Sequence, residues 1–181
     1  SLYIDSKNKL YVAYRNNGFS LLNLNKQMFK QLDLVKNIST TPENFDAQSF
    51  AKDKLGNIWI ASRGNGLLKY NKNDNSCKQY STNNCKGLKT NFLLCIHIDS
   101  EGMIWVGTDG QFIAKFNPET EEFKHIDFDW TDWSAVFAIA ETDKYIWCGT
   151  WGSGLKKVDK KTHKISTIDF DTSDQYRNTI F

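Results

Sequence analysis

The sequence is short of the residues that interrupt structure and of those that carry out chemistry. Among 181 residues there are 2 Pro, 11 Gly and 3 His, far from a Pro- and Gly-rich low-complexity composition. No apolar run approaches the roughly 20 residues of a bilayer-spanning helix, so no membrane contact is expected of this segment. The four cysteines, Cys77, Cys85, Cys95 and Cys148, are too few and too irregularly spaced for a disulfide framework. None forms a C-x-x-C pair, which disfavours zinc. They read as small buried hydrophobes, with a Cys77–Cys85 bridge open to an oxidising compartment. Neither sign of charge dominates: 23 Lys and Arg face 21 Asp and Glu, for a net +2. The basic residues are scattered rather than striped, so a nucleic-acid footprint is not supported. The chain starts at Ser1 with no charged-then-apolar leader, so export cannot be read from it directly.

What the chain does have is aromatic mass and a repeat. It is 40% hydrophobic and 14% aromatic, with 12 Phe, 7 Tyr and 6 Trp, enough for a sizeable core. Taking one aromatic as the reference column aligns Tyr11, Trp59, Trp105 and Trp147, at spacings of 48, 46 and 42. Leu10, Ile58, Ile104 and Ile146 precede it. Two places after it stand the small residues Ala13, Ala61, Gly107 and Gly149. Six before it stand Asp5, Asp53, Asp99 and Glu141; twelve after it stand Asn23, Asn71, Asn117 and Asp159.

Each repeat divides into four short strands. An apolar stretch ends at the acid, a second strand surrounds the aromatic, a third follows the glycines and a fourth alternates, as in Phe123-Lys-His-Ile126. Turn signals separate them, such as Asp53 to Asn57, Arg63 to Gly66 and Asn71 to Asn75. No sustained helical period occurs. The expected fold is all-β, with four four-stranded antiparallel repeats at about 1–48, 49–94, 95–136 and 137–177, and 178–181 opening a fifth. Repeats of this kind, with small residues beside a large aromatic, form the blades of β-propellers. Tyr11, Trp59, Trp105 and Trp147 are then structural core, wedges between sheets.

Asp99-Ser-Glu-Gly-Met-Ile-Trp-Val-Gly-Thr108, followed by Phe116-Asn-Pro118, resembles the two-component regulator propeller repeat. Asp53-Lys-Leu-Gly-Asn-Ile-Trp-Ile-Ala-Ser62 and Ile146-Trp-Cys-Gly-Thr-Trp-Gly-Ser-Gly-Leu155 resemble it too. The resemblance runs over essentially the whole chain. It implies the periplasmic sensor region of a hybrid two-component histidine kinase of the Bacteroidetes type, in which such repeats form seven-bladed propellers. With a fifth repeat opening at 178–181, the chain reads as a fragment of a larger propeller of that kind, a closed four-bladed propeller being the alternative. Many members of that family respond to oligosaccharides. The partners so implied are an oligosaccharide ligand, further blades and a membrane-proximal domain of the same parent, and a second copy in a homodimer. The first repeat departs from the pattern with Tyr11 for Trp and Asn8 for the turn Gly; the third has Phe112 where the others have Gly.

Function is expected where the turns between second and third strands share one face with the connections between repeats. Four places after the reference aromatic stand Arg15, Arg63, Asp109 and Trp151. A column that varies so much at a loop tip is not dictated by the fold. Arg can fork-bond a carboxylate or sugar hydroxyl, Asp can accept from hydroxyls and Trp can stack on a sugar ring; ordinary surface variation is the alternative. The connection Asp127-Phe-Asp-Trp-Thr-Asp-Trp133 adds Trp130 and Trp133, either ligand contacts or anchors on their own repeats. Its acids lack the EF-hand spacing, so no metal is expected. The long connection from Asp33 to Gln48 also lies here, with a glycosylation sequon at Asn37. The opposite turns, near Asn71 to Ser76, Asn117 to Glu122, Lys161 and His163, read as solvated hairpins. His97, His125 and His163 are dispersed, and neither H-E-x-x-H nor G-x-S-x-G occurs. No catalytic residue and no cofactor are expected. The rival readings are a protein-binding scaffold and, since D-x-x-G-x-I-W is similar to the structural Asp-box of sialidases, a carbohydrate-active propeller.

Overall fold

The structure, a computed structural model, describes residues 2–13, 19–25, 28–31, 45–110, 112–128 and 134–168. All regular structure among them is β. The first sheet is formed by β1 (Leu2–Ile4), β2 (Lys9–Ala13), β3 (Phe19–Asn23) and β4 (Met28–Gln31). The second holds β5 (Ala47–Lys52), β6 (Ile58–Ser62), β7 (Gly66–Asn71) and β8 (Ser76–Tyr80). The third holds β9 (Leu93–Ile98), β10 (Ile104–Thr108), β11 (Phe112–Asn117) and β12 (Glu122–Asp127). The fourth holds β13 (Ala135–Glu141), β14 (Tyr145–Trp151), β15 (Leu155–Asp159) and β16 (Ile165–Ile168). Each is a four-stranded antiparallel meander in chain order. The later sheets begin just ahead of the expected repeat boundaries, and 178–181 lies outside the described residues. The chain packs as two compact units, 1–85 with 89–93, and 86–88 with 94–181.

The repeat columns map onto specific bonds. The residue twelve after the reference aromatic caps the turn between third and fourth strands. Its side-chain oxygen accepts the backbone N–H two residues on: Asn23 from Asn25, Asn71 from Asn73, Asn117 from Glu119 and Asp159 from Lys161. This is the Asx turn, the reason these short polar residues recur there. Asn75, Glu121 and His163 close those turns with φ near +58°. The turn between first and second strands needs a left-handed residue three after the Asp. Gly56 and Gly102 supply it, and in the first sheet Asn8 does so with φ 55°, because Asn tolerates that region better than other side chains.

The second strands β6 and β10 are buried at every position, as strands covered on both faces must be, whereas the fourth strands β8 and β12 alternate. In the first unit, Tyr11 and Leu21 pack on Phe50, Ile58, Ile60 and Tyr70. In the second, Trp105, Ile113 and Ile126 pack on Val136, Ile146, Cys148 and Val158. Gly107 permits that approach: a Cβ there would stand 2.6 Å from the carbonyl oxygen of Val136. Cys77, Cys85, Cys95 and Cys148 are all buried thiols outside any disulfide, so Cys77 and Cys85 are not bridged. Burial pushes the thiols of Cys77 and Cys95 up to about 12, which makes them packing groups rather than nucleophiles.

Two expectations need correction. Tyr11, Trp59 and Trp105 are wholly buried, but Trp147 is only half-buried. Its neighbours Ile146 and Cys148 face the core of the unit, so strand alternation points Trp147 to the other side. There its cross-strand partner Ala140 is exposed. The ungapped column also misplaces Glu141. The turn from Thr142 to Tyr145 is one residue shorter than the turn from Asp53 to Asn57, so Thr142 takes the Asp position. Its hydroxyl accepts the Trp147 indole N–H at 3.1 Å, while Glu141 ends β13.

Candidate binding face

The turns between second and third strands are closed by a hydroxyl three after the reference aromatic. Ser62 Oγ donates to the Gly66 carbonyl (2.9 Å), Thr108 Oγ1 to that of Phe112 (2.7 Å) and Thr150 Oγ1 to that of Gly154 (2.6 Å). These hydroxyls are buried, and they close the turn ahead of the next residue, the variable column.

In the first unit that residue is Arg63, exposed on a backbone clamped from two directions. Its N–H donates to the Asp46 carbonyl (2.8 Å), and those of Gly64 and Gly66 donate to Asn91 (2.9 and 3.0 Å). Asn91 is fixed through the Thr82 N–H and hydroxyl. Beside it the exposed Phe92 bridges to Arg63. The site thus couples an Arg to an exposed ring on a rigid base. In the second unit Asp109 is half-buried and followed by Gly110.

Trp151, the last residue of β14, is 48% exposed. Its backbone is held by pairing with Ala135 and by the Ser134 hydroxyl, which donates to its carbonyl. Its ring lies 6.0 Å, at 46°, from that of Phe137, itself 45% exposed. Phe137 reaches this place through a β-bulge: the register shifts between Val136 and Ala138, leaving Phe137 unpaired and re-aimed. β5 has the same bulge, between Ala47 and Ser49. Its extra residue, Gln48, donates instead to the Asp46 carboxylate at 2.7 Å. Sequence reading missed Phe137, which sits inside the apolar run Ala135-Val-Phe-Ala-Ile139 and looks like any core position; only the Gln at the matching place in β5 hints that this position is not core. Arg15, Trp130 and Trp133 lie outside the described residues. The connection that carries the last two starts from Phe128, which is buried in the core of the second unit.

Two planar rings standing proud of a fixed backbone offer a stacking surface for the apolar face of a sugar or another flat ligand. Among the described residues no group of three or more His, Cys, Asp or Glu is placed to hold a metal ion. Nor, among the described residues, is any helix long and apolar enough to cross a membrane.

Two of the three histidines serve packing. His125 meets the Phe112 ring edge-on at 4.5 Å, and His163 meets Trp105 at 6.4 Å. The turn carrying His163 is therefore a cover for the core rather than only a solvated hairpin, and burial lowers the His163 imidazole below its usual range. His97 Nε2 stands 3.4 Å from Glu141. The Ser100 hydroxyl donates to the Glu141 carboxylate (2.7 Å) rather than to the His97 imidazole. Lys160 completes this network with an ion pair at 2.7 Å. Burial alone would raise the Glu141 carboxyl, but the Lys160 and Ser100 hydrogen bonds outweigh it and hold it at about 2.

Residues 87–110 match the family model of the two component regulator propeller. No curated protein sequence matches the chain. Among solved structures it is similar to the extracellular domain of the proposed hybrid two component system BT4673 from B. thetaiotaomicron. That likeness has a TM-score of 0.75 and 20% identity, over 93% of this chain and 23% of that one. The extracellular domain of BT3049 from the same organism gives a TM-score of 0.74 and 21% identity, over 99% and 22%. Selenomethionine-substituted virginiamycin B lyase from Staphylococcus aureus gives 0.74 and 15%, over 95% and 55%. The chain spans under a quarter of the length of the two extracellular domains. The four sheets are β-propeller blades, and the third carries the two component regulator propeller repeat.

Proposed function

We propose that the chain is part of the ligand-sensing propeller of a two-component histidine kinase, placed in the periplasm, and that it recognises an oligosaccharide. The similarity to extracellular sensor domains supports the setting. The observation that carries the ligand reading is the exposed Phe137–Trp151 pair on a backbone fixed by Ser134 and β13. Exposed rings on a rigid strand end cost hydration without a partner, and they stack on the apolar face of pyranose rings. Within the same unit Asp109 occupies the equivalent place on the third blade and supplies an acceptor for hydroxyls; Arg63, in the other unit, is the cation at that place on the second blade. Signal transfer to a membrane-proximal domain, and to a second copy, requires the ligand to bind two packing states unequally. The segment itself binds rather than catalyses.

The test is a titration of the folded chain with a panel of host and plant oligosaccharides, followed by Trp fluorescence and calorimetric heat. Saturable binding that is lost in Trp151→Ala and Phe137→Ala, with unfolding unchanged, supports the reading. A folded protein that binds none of the panel overturns it. The protein-scaffold reading would then lead, favoured by Leu2 and Ile4 on β1, 68% and 57% exposed.

A further inference from the structure

The first blade carries a second cluster, at the end of the sheet away from the Trp151-type turns. In the second and third blades the column Asp is satisfied at both oxygens. Asp99 Oδ1 accepts the N–H groups of Glu101 and Met103, and its Oδ2 accepts the Trp105 indole N–H at 2.7 Å. Asp53 Oδ2 likewise accepts from Trp59 at 2.9 Å. In the first blade Asp5 Oδ1 accepts from Lys7 and Lys9 in the same way (2.9 and 3.0 Å). Tyr11, however, replaces Trp and brings no indole donor. Asp5 Oδ2 and the Tyr11 hydroxyl are both buried, and neither has a hydrogen-bond partner. The lysine that lies across from the reference aromatic on other blades, such as Lys69 over Trp59 or Lys115 over Trp105, is here Leu21.

A cleft of about 400 Å³ opens beside this pair, within the first unit, walled by Tyr11, Lys7, Lys9, Lys72, Tyr70 and Asn75. That volume suits a small ligand of one or two sugar rings. Lys72 Nζ stands 3.7 Å from Asp5 Oδ2, too far for a good hydrogen bond. The nearby Asp74 is turned into its own loop, accepting from Ser76 and Asn71. The wall therefore carries three lysines, and the buried Asp5 carboxylate stands behind Lys72. Tyr70 donates to Asn75 at 3.0 Å and fixes that side of the cleft.

We propose that this cleft is a binding site for an acidic sugar, one that carries a carboxylate or sulfate beside free hydroxyls. The three lysines complement the oxyanion, and a ligand hydroxyl supplies the partner that Asp5 Oδ2 and the Tyr11 hydroxyl lack. The site is separate from the Trp151 surface and does not depend on it.

Calorimetric titration of the chain with glucuronic acid, glucose 6-sulfate, glucose and inorganic sulfate tests the assignment. The two acidic sugars are expected to bind saturably and more weakly as salt rises, glucose to give no saturable heat, and inorganic sulfate to bind less well than glucose 6-sulfate. A preference between glucuronic acid and glucose 6-sulfate tells carboxylate from sulfate. Lys72→Ala should weaken binding about fivefold, the size of one partly screened charge contact. Tyr11→Trp, which gives Asp5 the indole donor of the other blades, should abolish binding while raising the midpoint of unfolding. If that variant fails to fold, Tyr11→Phe removes only the hydroxyl and should still weaken binding. Equal binding of glucose, no saturable heat from either acidic sugar, or affinity unchanged in all the folded variants would overturn the proposal.

Discussion

The hairpin of the third blade and that of the fourth perform one structural task with different materials. In the third, the Asp99 carboxylate gathers two backbone N–H groups and the indole of a wholly buried Trp105. In the fourth, the turn is a residue shorter and a Thr142 hydroxyl holds the indole of a half-buried Trp147. The glutamate left over beside it, Glu141, ties the two blades together: it accepts from the Ser100 N–H and hydroxyl on the turn of the third blade and from Lys160 on its own. One hairpin is stabilised locally by a charge-assisted clamp. The other is plainer inside, and its neighbouring carboxylate works between blades.

The widest separation between them should come from deleting the rings. Trp105→Ala is expected to cost about 3–5 kcal/mol, as large-to-small changes of buried aromatics do. Trp147→Ala should cost about 1–2 kcal/mol, because less of its area is removed from water. Urea unfolding measures both, and equal losses would break the comparison. Next in size are the acceptors. Asp99→Asn removes a buried charge acceptor and should cost about 1.5–3 kcal/mol, while Thr142→Val removes a neutral, exposed bond worth about 0.5–1 kcal/mol.

A pH series sharpens the inter-blade half of the comparison. The Glu141 carboxyl is held at about 2, below its ordinary value of 4.5. A depressed carboxylate stabilises the fold above its unfolded pKa, and that stabilisation is lost as pH falls through the folded one. The gap in melting temperature between the chain and Glu141→Gln should therefore be full above about pH 5 and close as pH falls towards 2. A gap that stays constant to pH 2 would remove Glu141 from the inter-blade tie. The smallest expected effect is Trp151→Ala, within about 0.5 kcal/mol in stability because its ring is surface-exposed. A large loss there would make it an anchor of its own blade and remove the main support for the ligand reading.

Much of this was legible in the residues because it is local. The Asx caps at Asn71, Asn117 and Asp159, the left-handed Asn8, and the Asp–Trp spacing each satisfy hydrogen bonds within a few residues, so they recur at fixed offsets. The candidate face was legible only in part. The variable column containing Arg63, Asp109 and Trp151 stands out because its neighbours Ser62, Thr108 and Thr150 carry the turn. Phe137 did not stand out, since a bulge leaves no mark in an apolar strand. Thr142 was hidden because a one-residue deletion in a turn shifts an ungapped column and lets Glu141 stand in its place.

The sequence by itself determined the strands, their antiparallel order, the turn chemistry and the fourfold blade repeat, all set by alternation and by bonds between near neighbours. Only the tertiary structure decided which aromatics are covered, where a bulge turns Phe137 outward beside Trp151, and that Asp5 Oδ2 and the Tyr11 hydroxyl are buried without hydrogen-bond partners beside a lysine-walled cleft. Those outcomes depend on which sheet face meets another and on the space left between side chains distant in sequence, which no local pattern encodes.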